Sequence, residues 1–168
     1  MIIVVYPGIE KASLAKIIQN YIDFESFSFH NENIFNWESL YVDVVVNLSK
    51  QSNIVFVNSH YSVLLELQHR IEVDKELDIN DVLLIYPKLD DAMEKDWVEH
   101  LTERCIDTRK DLTVPFSTVE KNYKALDHVK KNYRTDISNM MISSFNRYEL
   151  QSMDYDLYDI IQNFKGSN

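Results

Sequence analysis

The sequence predicts an α/β fold in which a mainly parallel sheet of about five strands is flanked by helices. Three observations predict it. Short β-branched and aromatic runs at Ile2–Tyr6, Ile54–Val57 and Val82–Tyr86 have the composition of buried strands. Amphipathic stretches with apolar residues at helical spacing lie between them. No composition break divides the 168 residues, 45% of them hydrophobic and 26% charged, so a single domain over 1–168 is expected.

Taken in order, Ile2 to Tyr6 predicts a first strand closed by Pro7-Gly8, and Ser13 to Asn20 a helix carrying Leu14, Ile17 and Ile18. Tyr21 to Phe24 predicts a second strand, followed by a polar loop around His30 to Asn33. A long helix places Trp37, Tyr41, Val44 and Leu48 on one face and stops at Ser52-Asn53. After the Ile54–Val57 strand, Ser62 to Ile71 predicts helix. An acidic turn from Asp74 to Asp81 leads into the Val82–Tyr86 strand, which Pro87 stops. Asp90 to Arg104 predicts a helix with Leu89, Met93, Trp97 and Leu101 on one side. Cys105 to Thr118, which has no clear period and contains Pro115, reads as mostly loop. Two helices are expected over Val119–Tyr133 and Ile137–Asn146, then a strand over Tyr148–Met153. A terminal helix capped by Asp154 should bury Leu157, Ile160, Ile161 and Phe164.

Composition narrows the function. A formal net charge of -10 argues against non-specific duplex binding, which needs Lys and Arg against phosphates. No apolar run approaches the roughly 18 residues that cross a bilayer, and Met1–Tyr6 shows no basic leader, so a cytoplasmic protein is expected. The lone Cys105 rules out an intrachain disulfide and reads as a small buried residue. His60 and His69 have no recognised metal spacing, so no structural metal is expected. Without a Gly-x-Ser-x-Gly elbow, a serine hydrolase is not supported.

Alternation of strand and helix with right-handed crossovers sends Pro7, Asp23, His60 and Pro87 to one edge of the sheet. That carboxyl edge is where ligands bind in open α/β sheets. Gly8 and Gly166 are the only glycines in the chain, which makes Gly8 informative by position.

The stretch Tyr6-Pro7-Gly8-Ile9-Glu10-Lys11-Ala12-Ser13 resembles a P-loop, and most resembles phage-encoded P-loop nucleotide-kinase-like proteins with a shortened Pro-Gly-Ile-Gly-Lys-Ser loop. Tyr21 to Ser26, Ile54 to His60, Ile85-Tyr86-Pro87 and Glu120 to Tyr123 extend the likeness. It implies a three-layer P-loop-kinase-like fold with ATP and Mg²⁺ as cofactors of any active form. In a working loop, backbone N–H groups wrap the phosphates, the Lys reaches the β and γ phosphates, and the next hydroxyl holds Mg²⁺. Gly8, Lys11 and Ser13 are the candidate nucleotide-binding residues. Glu10 replaces a glycine and brings a negative charge toward an anionic ligand; Ala12 replaces the Mg²⁺-binding hydroxyl.

The resemblance also implies an acid after the second strand, matched by Asp23 and Glu25, and a histidine turn after the third, matched by His60. It implies a lid where Arg104, Arg109 and Lys110 lie, Arg109 being the best candidate to close on phosphates. If active, Lys11, Asp23 and Arg109 would carry catalysis. Three functions remain open. The first is a pseudoenzyme with impaired or lost phosphoryl transfer, acting as a binding or accessory factor for a host or phage protein. The second is an active nucleoside or nucleoside-monophosphate kinase, and the third an acidic decoy of a nucleic-acid-binding host protein.

Overall fold

The computed structural model describes residues 1–24, 36–51 and 53–167. Along them run β1 (Ile2–Val5), α1 (Lys11–Ile17), β2 (Tyr21–Asp23), α2 (Trp37–Lys50) and β3 (Ile54–Asn58). They are followed by α3 (Tyr61–Glu72), β4 (Val82–Pro87), α4 (Asp91–Lys110), α5 (Phe116–Met141), β5 (Asn146–Leu150) and α6 (Leu157–Ser167). The five strands pair in the order β2-β3-β1-β4-β5, every pair parallel. The α/β class and the parallel sheet of about five strands are therefore as expected.

The central strands are buried on both faces, which is why they read as unbroken apolar runs rather than alternations: all of Ile2–Val5 and Val82–Tyr86 is buried. Side chains alternate across a strand, so the register puts Ile3, Val5, Asp23, Phe56, Asn58 and Ile85 on one face. α1 and α6 cover that face: Lys11 reaches Asn58, and Gln162 donates to the Tyr21 hydroxyl at 3.0 Å. The opposite face carries Tyr6 and is covered by α2, α3 and α5; the Tyr6 and Tyr133 rings meet edge-on at 5.6 Å.

Several expected boundaries move. α1 begins at Lys11 and ends at Ile17, because Asn20 takes a left-handed φ of 72° to turn the chain into β2. Ile17 is 80% exposed rather than buried. In α2 the buried residues are Tyr41, Val42, Val45, Val46 and Ser49, a stripe rotated from the expected one. Val44 and Leu48 lie on its margin. α6 is capped by Asp156, not Asp154: its Oδ1 accepts from the Tyr158 and Asp159 N–H groups at 2.8 and 3.1 Å. The loop around His30–Asn33, Glu25 and the Ser52 stop lie outside the described residues.

The largest correction concerns 105–146. α4 continues to Lys110, since Cys105 extends the stripe of Met93, Trp97 and Leu101 and is buried against α5. Thr108 Oγ1 returns a hydrogen bond to the Arg104 carbonyl at 2.8 Å. α5 is one helix rather than two, because Leu126, Val129, Tyr133, Ile137 and Met140 form a continuous buried stripe. The chain is already in β5 at Asn146, opposite Leu83.

On α5, His128 Nε2 sits 2.7 Å from Asp136 Oδ2, and that hydrogen bond holds the imidazole pKa above its usual value. A folded-state pKa above the unfolded one makes the stabilisation complete below about pH 6.5 and lost as pH rises through the folded value. With His128 about half exposed, the effect should stay under about 1 kcal/mol. In urea unfolding, His128→Gln should lag the parent at pH 5.5 and approach it at pH 8.5; an equal gap at both would refute the linkage.

Candidate functional site

The chain leaves β1 toward β2 on one side and leaves β4 toward β5 on the other. The crevice between the carboxyl ends of β1 and β4 is therefore the topological switch point, where ligands of open α/β sheets bind. Pro7 and Gly8 form its β1 wall. On the β4 side Tyr133 donates to the Lys88 carbonyl at 2.8 Å.

Protein fills this crevice. Trp97, fully buried on α4, donates from Nε1 to the Pro7 carbonyl at 2.8 Å. Its ring stands edge-on to Tyr6 at 6.0 Å and stacks on Tyr155 at 6.4 Å. Tyr155, between β5 and α6, meets the Glu10 backbone; burial, with the nearby Glu10 charge adding, pushes its phenol up to about 12. The Tyr6 hydroxyl is buried and has no hydrogen-bond partner among the described residues, and its pKa is raised by that desolvation.

Gly8 takes a φ of +101°, and a Cβ there would lie 2.8 Å from Trp97 Nε1 and 3.1 Å from Leu101 Cδ2. The close approach that only glycine permits is thus used by an indole. The chain then runs through Ile9 to Glu10, which sits at the α1 N-cap without a side-chain capping bond and is exposed.

Lys11 opens α1 and turns inward. Its Nζ donates to Asn58 Oδ1 at 2.6 Å and lies 3.2 Å from Asp23 Oδ1, an ion pair whose angle is too bent for a hydrogen bond. The two side chains are only 11% and 16% exposed. β3 lies between β1 and β2, so a lysine just past β1 meets an asparagine ending β3 and an aspartate ending β2 at one edge. The ammonium is compensated by the protein's own carboxylate and amide. A phosphate would have to displace Asp23 to use it.

The other candidates are dispersed. Ser13 is exposed and, with Glu10, Leu14, His100, Met153, Tyr155, Asp156, Leu157 and Tyr158, lines a groove of about 410 Å³ between α1, α4 and α6. His60 is the N-cap of α3; its Nδ1 lies 2.9 Å from Ser62 Oγ and its ring stands edge-on to Trp37. Arg109 is exposed in the last turn of α4, twelve residues beyond Trp97, or about 18 Å along the helix. It belongs to a helix, where a lid loop was expected, and does not join the Lys11 cluster. Glu25 lies outside the described residues.

Of the expected site residues, Lys11 and Asp23 come together, but with each other. Asn58, the last residue of β3, carried no signal of its own in the sequence. Trp97 read as one member of a helical stripe; nothing in its spacing set its distance to Gly8. Among the described residues, no group of three His, Cys, Asp or Glu side chains is arranged to hold a metal ion, and no helix is long and apolar enough to cross a membrane. No protein-family model matches this chain, and a search of curated proteins finds no match to it either.

Proposed function

We propose that this chain is a P-loop-kinase-like protein that has lost phosphoryl transfer and serves as a phage-type binding or accessory factor. The observation that carries the proposal is the pairing of Lys11 with Asp23 and Asn58. Phosphoryl transfer depends on positioning and charge neutralisation by groups held ready for the nucleotide, and here the one lysine of the loop is neutralised internally. Trp97 against Gly8 and Ala12 after Lys11 support the same conclusion, the first by occupying the crevice, the second by removing the hydroxyl that would hold Mg²⁺.

Calorimetry with ATP, ADP and deoxynucleoside monophosphates, each with Mg²⁺, tests it. Silence up to millimolar nucleotide is the expected result. Micromolar binding that disappears in Lys11→Ala would overturn it and support the kinase alternative, in which Asp23 gives up Lys11 when substrate arrives.

A further inference from the structure

We infer that β5 pairs antiparallel with β5 of a second copy of this chain, joining the two sheets about a two-fold axis at Tyr148. β5 stands at one end of the strand order and, among the described residues, pairs with β4 alone. The Leu150 carbonyl accepts from the Lys88 N–H at 3.0 Å, so Leu150 turns its backbone groups toward β4. Backbone direction alternates along a strand, so Asn146 and Tyr148 do the same, while Arg147 and Glu149 turn their N–H and C=O groups outward. Among the described residues only Gln151 reaches those outward groups. Its Nε2 lies 3.3 Å from the Glu149 carbonyl, which keeps a second lone pair. Arg147 is exposed and Tyr148 is 46% exposed, so the edge is open to solvent. Unpaired edges of this kind template another strand, and proteins commonly guard them with lysine or proline. Asn146-Arg147-Tyr148-Glu149-Leu150 contains neither.

The strand itself selects the occupant. In an antiparallel ladder, residues whose backbone groups face the partner oppose one another and exchange both hydrogen bonds. With the axis at Tyr148, Arg147 stands opposite the partner's Glu149, and Glu149 opposite the partner's Arg147. That register makes four backbone hydrogen bonds and sets two pairs of opposite charge directly across the ladder. An axis at Arg147 or at Glu149 would set like charges against each other. Hydrogen-bonding direction and charge therefore agree on one register, and the strand that satisfies both is a copy of this one, as an isologous contact requires.

Both faces of the sheet accommodate it. The register with β4 puts Tyr148 on the α6 side, where the two Tyr148 rings meet as a non-hydrogen-bonded pair, the closer kind. Each ring borders an open cleft of about 300 Å³ against Asp159, Ile160 and Asn163. On the α5 side the Arg147 guanidinium bonds the Met141 carbonyl. Met141 and Ile142, 37% and 77% exposed where α5 leads into β5, add apolar area beside the ladder.

Sedimentation velocity of the whole chain, from low micromolar to near-millimolar concentration, tests this. A monomer–dimer equilibrium is expected. Arg147→Glu and, separately, Glu149→Arg should each weaken it about tenfold or more, since each sets two like-charge pairs across the axis. Mixing the two variants should restore association, because a chain with two acids then faces a chain with two arginines. Glu149→Pro removes an outward N–H and no bond to β4, and should abolish the dimer with circular dichroism unchanged. Lys124→Glu, exposed on α5 about 25 Å along the helix from Met141, should leave it unaltered. A monomer at every concentration, a dimer indifferent to both charge reversals, a mixture no tighter than its components, or an equal loss in Lys124→Glu would each overturn the inference.

Discussion

Trp97→Ala should cost about 3–5 kcal/mol of folding stability, the usual range for removing a large aromatic from a core. Against a total of about 5–15 kcal/mol for a natural domain, this should lower the melting temperature by about 10 °C or more. The indole joins α4 to two other parts of the chain: to Tyr6-Pro7-Gly8, by a hydrogen bond to the Pro7 carbonyl, an edge contact with Tyr6 and packing on Gly8, and to Tyr155 by stacking. Gly8→Ala attacks the same joint from the other side, adding a Cβ 2.8 Å from the indole at a φ of +101°. It should cost about 2–3 kcal/mol through left-handed backbone strain and overpacking. The two changes should be less than additive, since removing the indole removes the clash. Thermal unfolding followed by circular dichroism measures all three variants. A Gly8→Ala chain as stable as the parent would show that the indole does not need this close approach.

Strands and helices were legible where burial imposes a strong pattern, and illegible where the chain leaves the body. Ile2–Val5 and Val82–Tyr86 are buried on both faces, so every residue is apolar and each run stands out. β5, at the sheet edge, reads Asn146-Arg147-Tyr148-Glu149-Leu150, and its alternation is too weak to mark its start. The far end of α4 is covered on one side by α5 alone, so Asp107, Arg109 and Lys110 are solvated and the apolar stripe thins to Cys105. A loop was the natural expectation there, and it made Arg109 a lid residue. Strand order is set by contacts between residues far apart in the chain, so no local period reports it. The site suffers most from this. Lys11 and Asp23 were both identifiable as candidates, but whether they face a ligand or each other depends on β3 lying between β1 and β2.

That dependence gives the test with most bearing on function. Lys11→Met should destabilise the fold by about 3–5 kcal/mol, because it leaves the Asp23 carboxylate nearly buried and without its countercharge. Asp23→Leu should cost a similar amount by stranding the ammonium on Asn58 alone. Lys11→Met combined with Asp23→Leu should recover most of the loss, to within about 1–2 kcal/mol of the parent, since replacing both members of a buried pair by apolar groups is often close to neutral. Urea midpoints at constant m-value give the coupling between the two directly. A lysine held ready for a nucleotide predicts otherwise: in the unliganded protein it would be solvated, its removal would leave stability within about 0.5 kcal/mol, and no coupling to Asp23 would appear. A large coupling means that recruiting Lys11 to a phosphate must first break a pair on which folding depends. That cost falls on binding in every turnover, and it is the physical reason for expecting the site to be silent.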